Sequence, residues 1–284
     1  MIIIKYKRIF FILTGVIVAA ALVSLAVFGL KASIEFTGGT QVEARYDARP
    51  SADALSASLV AAGISGFSVH EEGTNGYLVR AEPLPEGVRA NLSAIFSVNG
   101  ASSTIESVNE IGPTIGKELR NKSIIAVSLV LLCILLFIAF AFRKVSKPVS
   151  SWVYGAVALV GLITNVIVTA GFFALLGHYF GAQVDTLFVT ALLTVVGFSV
   201  HDTIVVFDRV RENLRVNEGA KEREEFYLVA GNSLNQTFVR SLNTSLTVVI
   251  TLLALFFIGP GSTEDFSLTL LVGIVCGTYT SLCL

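Results

Sequence analysis

Asp202 is the residue with the most chemistry to offer. It sits within 186–207, an apolar run long enough to cross a bilayer, and it is the one formal charge in six such runs. An ionised Asp at the centre of a membrane helix costs about 2.5–3.5 kcal/mol. Such residues therefore face a bundle interior or a cavity, and they mark ion or proton pathways. A carboxyl placed there can take up a proton on one side and release it on the other. Position alone supports a second role equally, a structural Asp that caps or pairs with a neighbouring helix.

The residues around it divide in the same way. His201 is adjacent in sequence and therefore points about 100° away around a helix. It is a possible second titrating group, although a hydrogen-bonded packing histidine is the simpler reading. Asp208 and Asp185 fall near the two ends of the run as interfacial residues, and Asp185 is placed to cap the helix start. Arg240 lies at the edge of the fifth run, where a long side chain snorkels to the interface. Asp202 is five residues, roughly 7.5 Å, from the same end of its own run. An Asp202–Arg240 pair is expected.

The elements that must position these groups are read from where charge is missing. The chain is 54% apolar and 14% charged, with a net charge of −1, whereas soluble domains carry roughly 25% charged residues. The six runs, 9–30, 123–142, 152–176, 186–207, 241–258 and 266–284, each meet or approach the roughly 20 residues a transmembrane helix needs. The first follows Lys5, Lys7 and Arg8 as a signal peptide would, but its length and the five later runs favour an uncleaved anchor. Lys and Arg gather at the N-terminus, after the second run (Arg143, Lys144, Lys147) and after the fourth (Arg209, Arg211, Arg215, Lys221, Arg223), while 177–185 and 259–265 have none. This bias puts both termini on the cytoplasmic side and 31–122 on the outer side. Leu284 falls inside the sixth run without a basic tail, the pattern expected of a truncated chain.

Residues 31–122 carry 19 formal charges, close to the density of a soluble domain. Glu35–Tyr46 reads as a strand, with Gly38-Gly39 marking a bulge or a close backbone approach. Ser51 caps a helix running to Ala62 and ended by Gly63. Phe67–Glu71 and Tyr77–Glu82 are short strands about a Gly73-Thr74-Asn75-Gly76 turn; a helix over Pro85–Ser97 and a strand over Ser103–Asn109 follow. The order βαββαβ predicts a ferredoxin-like α+β domain. The fold class is thus a polytopic α-helical membrane protein with six transmembrane helices and a small α+β domain between the first two. The charged stretch 208–240 continues the fourth helix into the cytoplasm as a solvated face or a docking surface.

The rest of the chain offers little reaction chemistry. Cys133, Cys276 and Cys283 lie in apolar runs with no disulfide or metal pattern. No phosphate-binding loop, zinc-protease motif or nucleophile elbow is present. The balanced charge gives no reason to expect a nucleic-acid partner. No cofactor is expected, and energy must come from a partner or from the membrane gradient. Gly273 and Gly277 are spaced for close helix packing.

One helix, a large polar domain and then five helices is the order of one half of an RND-type transporter. Three motifs narrow the likeness: Phe36-Thr37-Gly38-Gly39-Thr40; Ile111-Gly112-Pro113-Thr114-Ile115-Gly116-Lys117-Glu118-Leu119; and the run from Thr194 to Asn213 around His201-Asp202. With Asn235-Gln236-Thr237, Arg240, Gly259-Pro260 and Phe266-Ser267-Leu268, they resemble the SecD/SecF family of protein-export membrane subunits. The resemblance implies SecD as partner, a translocating polypeptide as substrate, work beside the SecYEG translocon and SecA in the bacterial inner membrane, and use of the proton-motive force. It also implies that Asp202 and Arg240 carry proton passage. Two positions depart from the family pattern: Ser33-Ile34-Glu35 replaces Gly-Ile-Asp, and His201 stands where Asn is common. An RND-type exporter of small molecules or lipids, with an apolar pocket in the outer domain, and a passive scaffold are the alternative functions.

Overall fold

A computed structural model describes residues 6–141, 151–219 and 224–283. Lys5, Arg143, Lys144, Lys147, Lys221, Arg223 and Leu284, on which part of the topology reading rests, lie outside the described residues.

Among the described residues, six helices are long and apolar enough to cross a membrane. The first, α1 (Lys7–Phe28), leads into the α+β domain. That domain runs α2 (Ile34–Thr37), β1 (Gly39–Tyr46), α3 (Ala52–Ala61), β2 (Ser68–Glu72), β3 (Gly76–Ala81), α4 (Glu86–Arg89), α5 (Leu92–Phe96) and β4 (Ser103–Ile111). The remaining long helices are α6 (Pro113–Ala141), α7 (Ser151–Tyr179), α8 (Thr186–Glu218), α9 (Phe226–Ile258) and α10 (Glu264–Cys283), with one 3-10 turn at Gly261–Thr263.

The sheet order is β2-β3-β1-β4 with every pairing antiparallel, the ferredoxin-like arrangement. Alternation along β1 and β3 sends Val42, Ala44, Tyr46, Tyr77, Val79 and Ala81 into one core with Leu55 and Leu59, one turn apart on α3. Tyr46 buries its ring there and donates its hydroxyl to the Phe96 carbonyl at 3.0 Å.

Two local readings change. The strand expected from Glu35 begins only at Gly39, because Ser33 Oγ accepts from Glu35 N (3.2 Å) and starts a helical turn that Gly38 ends at φ +84. The helix expected over Pro85–Ser97 is two short helices. Asn91 interrupts it: its φ is −115, and its Nδ2 donates to the Gly87 carbonyl at 3.2 Å, a side-chain bond that competes with the helical ladder. The Ser51 cap and the glycine turn before β3 form as read.

In the helical bundle, α10 packs against α7, α8 and α9, and α7 packs on α1. Glycines permit these crossings. A Cβ on Gly171 would lie 2.6 Å from Ala21 Cα, and Ser24 Oγ donates to the Gly171 carbonyl at 2.7 Å. Gly273 meets Val195, and Gly277 meets Ser199, so the pair does provide close packing.

Candidate functional site

Asp202 is buried in α8, with 5% of its surface exposed. Its Oδ2 accepts a hydrogen bond from Ser281 Oγ of α10 at 2.5 Å. One turn away, Ser199 of α8 accepts from Nδ2 of Asn165 on α7 at 2.6 Å. Asn165 is fully buried, and its Oδ1 accepts from Thr280 Oγ1 at 2.8 Å and from Cys276 Sγ at 3.5 Å. On the α9 side, the Ser245 and Thr278 hydroxyls are 2.5 Å apart. The outcome is a buried polar column joining four membrane-crossing helices. Interhelical bonds of this kind hold such helices in register where apolar contact cannot distinguish helix from lipid.

Arg240 does not join this column. It is exposed on α9, and among the described residues it makes no ion pair with Asp202. The cause is helical phase. The inward face of α9 is the row Ser233, Thr237, Ser241 and Ser245, and Arg240 precedes Ser241, about 100° out of that row. The expected pair is therefore absent within this chain. His201 is likewise exposed and has no hydrogen bond among the described residues, so the packing-histidine reading is not met. Both belong to outward polar stripes: Thr190, Thr194 and His201 on α8, and Gln236, Arg240, Asn243, Thr247 and Thr251 on α9.

The two glycine motifs, distant in sequence, meet at one joint between the α+β domain and α6. A Cβ on Gly38 would lie 2.8 Å from Pro113 Cα, and one on Gly116 would lie 2.8 Å from Gly38 N and 3.0 Å from Phe36 C. Gly39 backs onto the Ala81 carbonyl, where a Cβ would approach to 2.5 Å. Phe36 and Thr40 are buried beside the joint, and Thr40 Oγ1 accepts from Leu84 N at 3.3 Å. Thr37 donates to the Ser33 carbonyl at 3.1 Å. Gly112 has open space around it, and Glu118 is exposed and paired with Lys122 at 2.7 Å. Neither contributes to the joint.

The joint is tied to the helix that carries Asp202. Glu35 Oε2 accepts from Thr186 N at 2.8 Å and from Thr186 Oγ1 at 2.7 Å, at the first residue of α8. Asp185 caps the same helix through Phe188 N at 2.8 Å, as its position predicted. Burial raises the Asp185 carboxyl above its ordinary range, opposed by that N–H bond. Beside the two carboxylates, Ser33 N donates to the Val184 carbonyl and Val184 N to the Lys31 carbonyl, at 2.9 and 2.7 Å.

The face of the sheet away from α3 lies over the ends of α7, α8 and α10. There His70, Glu72 and Arg80 line a cleft of about 410 Å³ with Gly181, Asp185 and Asp265. Burial, aided by Arg80, holds His70 below its ordinary range, and burial with Glu43 and Glu106 raises Glu72. Inside the domain itself the sheet and helices enclose an apolar core.

Sequence reading singled out Asp202 and expected a close backbone approach at Gly38-Gly39, but it missed the meeting of the two glycine motifs, Asn165, Ser199, Thr280, Ser281 and the Glu35 clasp. Asn165 was visible as a strongly polar residue within an apolar run. Ser and Thr are too common in such runs to single out.

Residues 91–284 match the family described as protein export membrane protein SecD/SecF, C-terminal, and residues 23–48 match the SecD/SecF GG motif. The chain is 41% identical to the protein translocase subunit SecF of Thermobaculum terrenum, over 99% of this chain and 90% of that one. It is 34% identical to the protein translocase subunit SecDF of Thermus thermophilus, over 96% of this chain but 36% of that longer protein. The crystal structure of SecDF from Thermus superposes with a TM-score of 0.85 at 31% identity, covering 99% of this chain and 37% of that one. SecDF in its super-membrane-facing form gives 0.67. The chain belongs to the SecD/SecF family of protein-export membrane proteins.

Proposed function

We propose that this chain is a subunit of the Sec protein-export machinery that exchanges protons at Asp202 and converts the exchange into movement of residues 31–122 on the outer side of the bacterial inner membrane. The observation that carries this reading is the burial of Asp202 with, among the described residues, a single hydroxyl partner, in a run of α8 that holds no other charge from Thr186 to Phe207. Intramembrane carboxyls in that setting serve ion and proton paths. Residues 1–30 are the cytoplasmic N-terminus and first span, 123–284 form the remaining bundle, and 208–240 project into the cytoplasm. The reading is of a non-enzymatic subunit.

The outward polar stripes of α8 and α9 support a partner in the membrane. Gln236 is held by Arg209 and Asn213 of α8, but the exposed side chains of Arg240 and Asn243, where α9 enters the membrane, have no bond among the described residues. Polar groups set against lipid are expensive, and a second bundle seated on that face would give them partners. SecD is the natural occupant, since the Thermus relative is a SecDF protein of which this chain matches about one third. Asp202 and Arg240 would then act on either side of this face, with His201 beside them. SecYEG and SecA are the further partners, and the translocating polypeptide is the load. One proton crossing about 100 mV supplies about 2.3 kcal/mol, which suits small repeated swings of the α+β domain. The cleft beside that domain is lined by His70, Glu72, Arg80, Asp185 and Asp265, charged and polar groups that weigh against an apolar small-molecule pocket there.

The test is export into proteoliposomes that hold the full chain with its SecD partner and translocon. Asp202→Asn is expected to assemble normally and to lose the stimulation given by an imposed proton gradient. Stimulation equal to that of the unaltered chain ends the proton reading and favours a passive scaffold.

A further inference from the structure

Ser281 meets Asp202 where α10 crosses α8. Its hydroxyl has one proton and two acceptors within reach, Asp202 Oδ2 at 2.5 Å and the Thr278 carbonyl at 2.9 Å. An ionised carboxylate only accepts, so the serine proton must then point to Asp202. A protonated carboxyl has a proton of its own to place. The serine oxygen accepts it, and the serine proton turns to the Thr278 carbonyl one turn back along α10. Neither state leaves a buried polar group without a partner, an outcome that costs about 1–3 kcal/mol.

We propose that Ser281 is the positioning residue for Asp202: a rotating hydroxyl that donates to the ionised carboxylate and accepts from the protonated one. The proposal rests on Asp202 being the proton site. No covalent bond to serine changes in the exchange; one proton is added to Asp202 and the hydroxyl reverses its direction. Among the described residues, Ser281 is the one side chain hydrogen-bonded to Asp202. Lys7 of α1 lines a cavity together with Ser281, Val206 and Phe207 and is a cation facing this corner from another helix, while the titratable groups of α6 to α10 are engaged elsewhere or turned outward. Cys276 bonds Asn165, Tyr279 donates to the Phe10 carbonyl, and Tyr154 of α7 packs edge-on against Phe207. Cys133 of α6, His201 and Asp208 of α8 and Arg240 of α9 are exposed, and Cys283 lies beyond Ser281 near the end of α10.

The direction of the effect follows from the bond. A donor aimed at the ionised form favours it, so removing the donor moves protonation to higher pH. Infrared difference titration of the full chain in liposomes can follow the carboxylic acid C=O stretch that Asp202→Asn abolishes. Ser281→Ala is expected to move the midpoint of that band upward by about one pH unit, the scale of one hydrogen bond to a charged group, and to raise its frequency. Ser281→Thr restores both, and Ser281→Cys, a weaker donor, falls between. An unchanged midpoint and frequency in Ser281→Ala overturns the proposal, as does Ser281→Thr behaving like Ser281→Ala. Failure of the underlying reading shows separately, as gradient-driven export retained by Asp202→Asn.

Discussion

Glu35 and Thr186 are 151 residues apart, yet one carboxylate oxygen of Glu35 accepts both the backbone N–H and the hydroxyl of Thr186. The contact places a negative charge on the positive end of α8, where the helix dipole and two donors stabilise it together. It connects the domain side of the glycine joint to the helix that holds Asp202. That residue lies 16 positions further along, roughly 24 Å at the helical rise.

Glu35→Ala should loosen the first turn of α8 by about 1.5–3 kcal/mol, the worth of hydrogen bonds to a charged group. Glu35→Gln keeps an accepting oxygen and should lose about half as much. Amide exchange at Thr186 checks this, with about a tenfold rise for each 1.4 kcal/mol lost. Unchanged exchange in Glu35→Ala means that the clasp holds nothing.

The glycines of the second motif should separate sharply. A methyl group on Gly116 meets backbone atoms at 2.8 and 3.0 Å, and backbone gives way less readily than a flexible side chain. Gly116→Ala should cost about 1–3 kcal/mol, in the range of overpacking. Gly112→Ala, with open space around it, should fall within about 0.5 kcal/mol of the unaltered chain. Thermal unfolding of the two variants in one detergent decides the matter; equal melting points refute the joint.

His70 should give the domain a pH-dependent hold on the bundle. Burial and Arg80 keep its folded-state affinity for a proton below the ordinary value of 6.5. As pH falls, the unfolded chain therefore binds the proton first. Stability is full above about 6.5 and is lost on acidification through the lowered folded value. His70→Gln should remove that slope. Unfolding midpoints of the full chain from about pH 8 to about pH 5 measure it, and parallel curves for the two proteins would falsify the assignment to His70.

What was legible in the sequence was whatever a local pattern encodes. Six helices follow from uncharged runs, β1 from the alternation of Val42, Ala44 and Tyr46 with charged residues, and β3 from a short apolar run after a glycine turn. The Ser51 and Asp185 caps follow from a single side chain reaching three residues ahead. Asp202 stood out because the cost of burying it does not depend on its neighbours. The partner assigned to it depended on which face of α9 turns inward. A row of small hydroxyl residues at four-residue spacing decides that, and it displaces Arg240 outward. Glu35 looked like a conservative change beside a motif, since nothing local points to a residue on the fourth membrane helix. The Asn91 break was hidden for a similar reason: the apolar spacing continues through it while its amide competes for a helical carbonyl.

The glycine joint also limits how the α+β domain can move. The chain enters the sheet through Gly38 and leaves it for α6 through Pro113, and these two residues touch. A body whose entry and exit share one point can turn about it as a door turns on a single pin, without stretching either strand. Across the sheet from that pin, His70 rests on Gly181, so closely that a Cβ there would come within 2.5 Å of the ring. Beside it Arg80 donates to Gln183 at 3.4 Å and Gln183 donates to Ser68 at 3.3 Å, so this side is a latch, and a turn about the pin away from the membrane has to break those two bonds first.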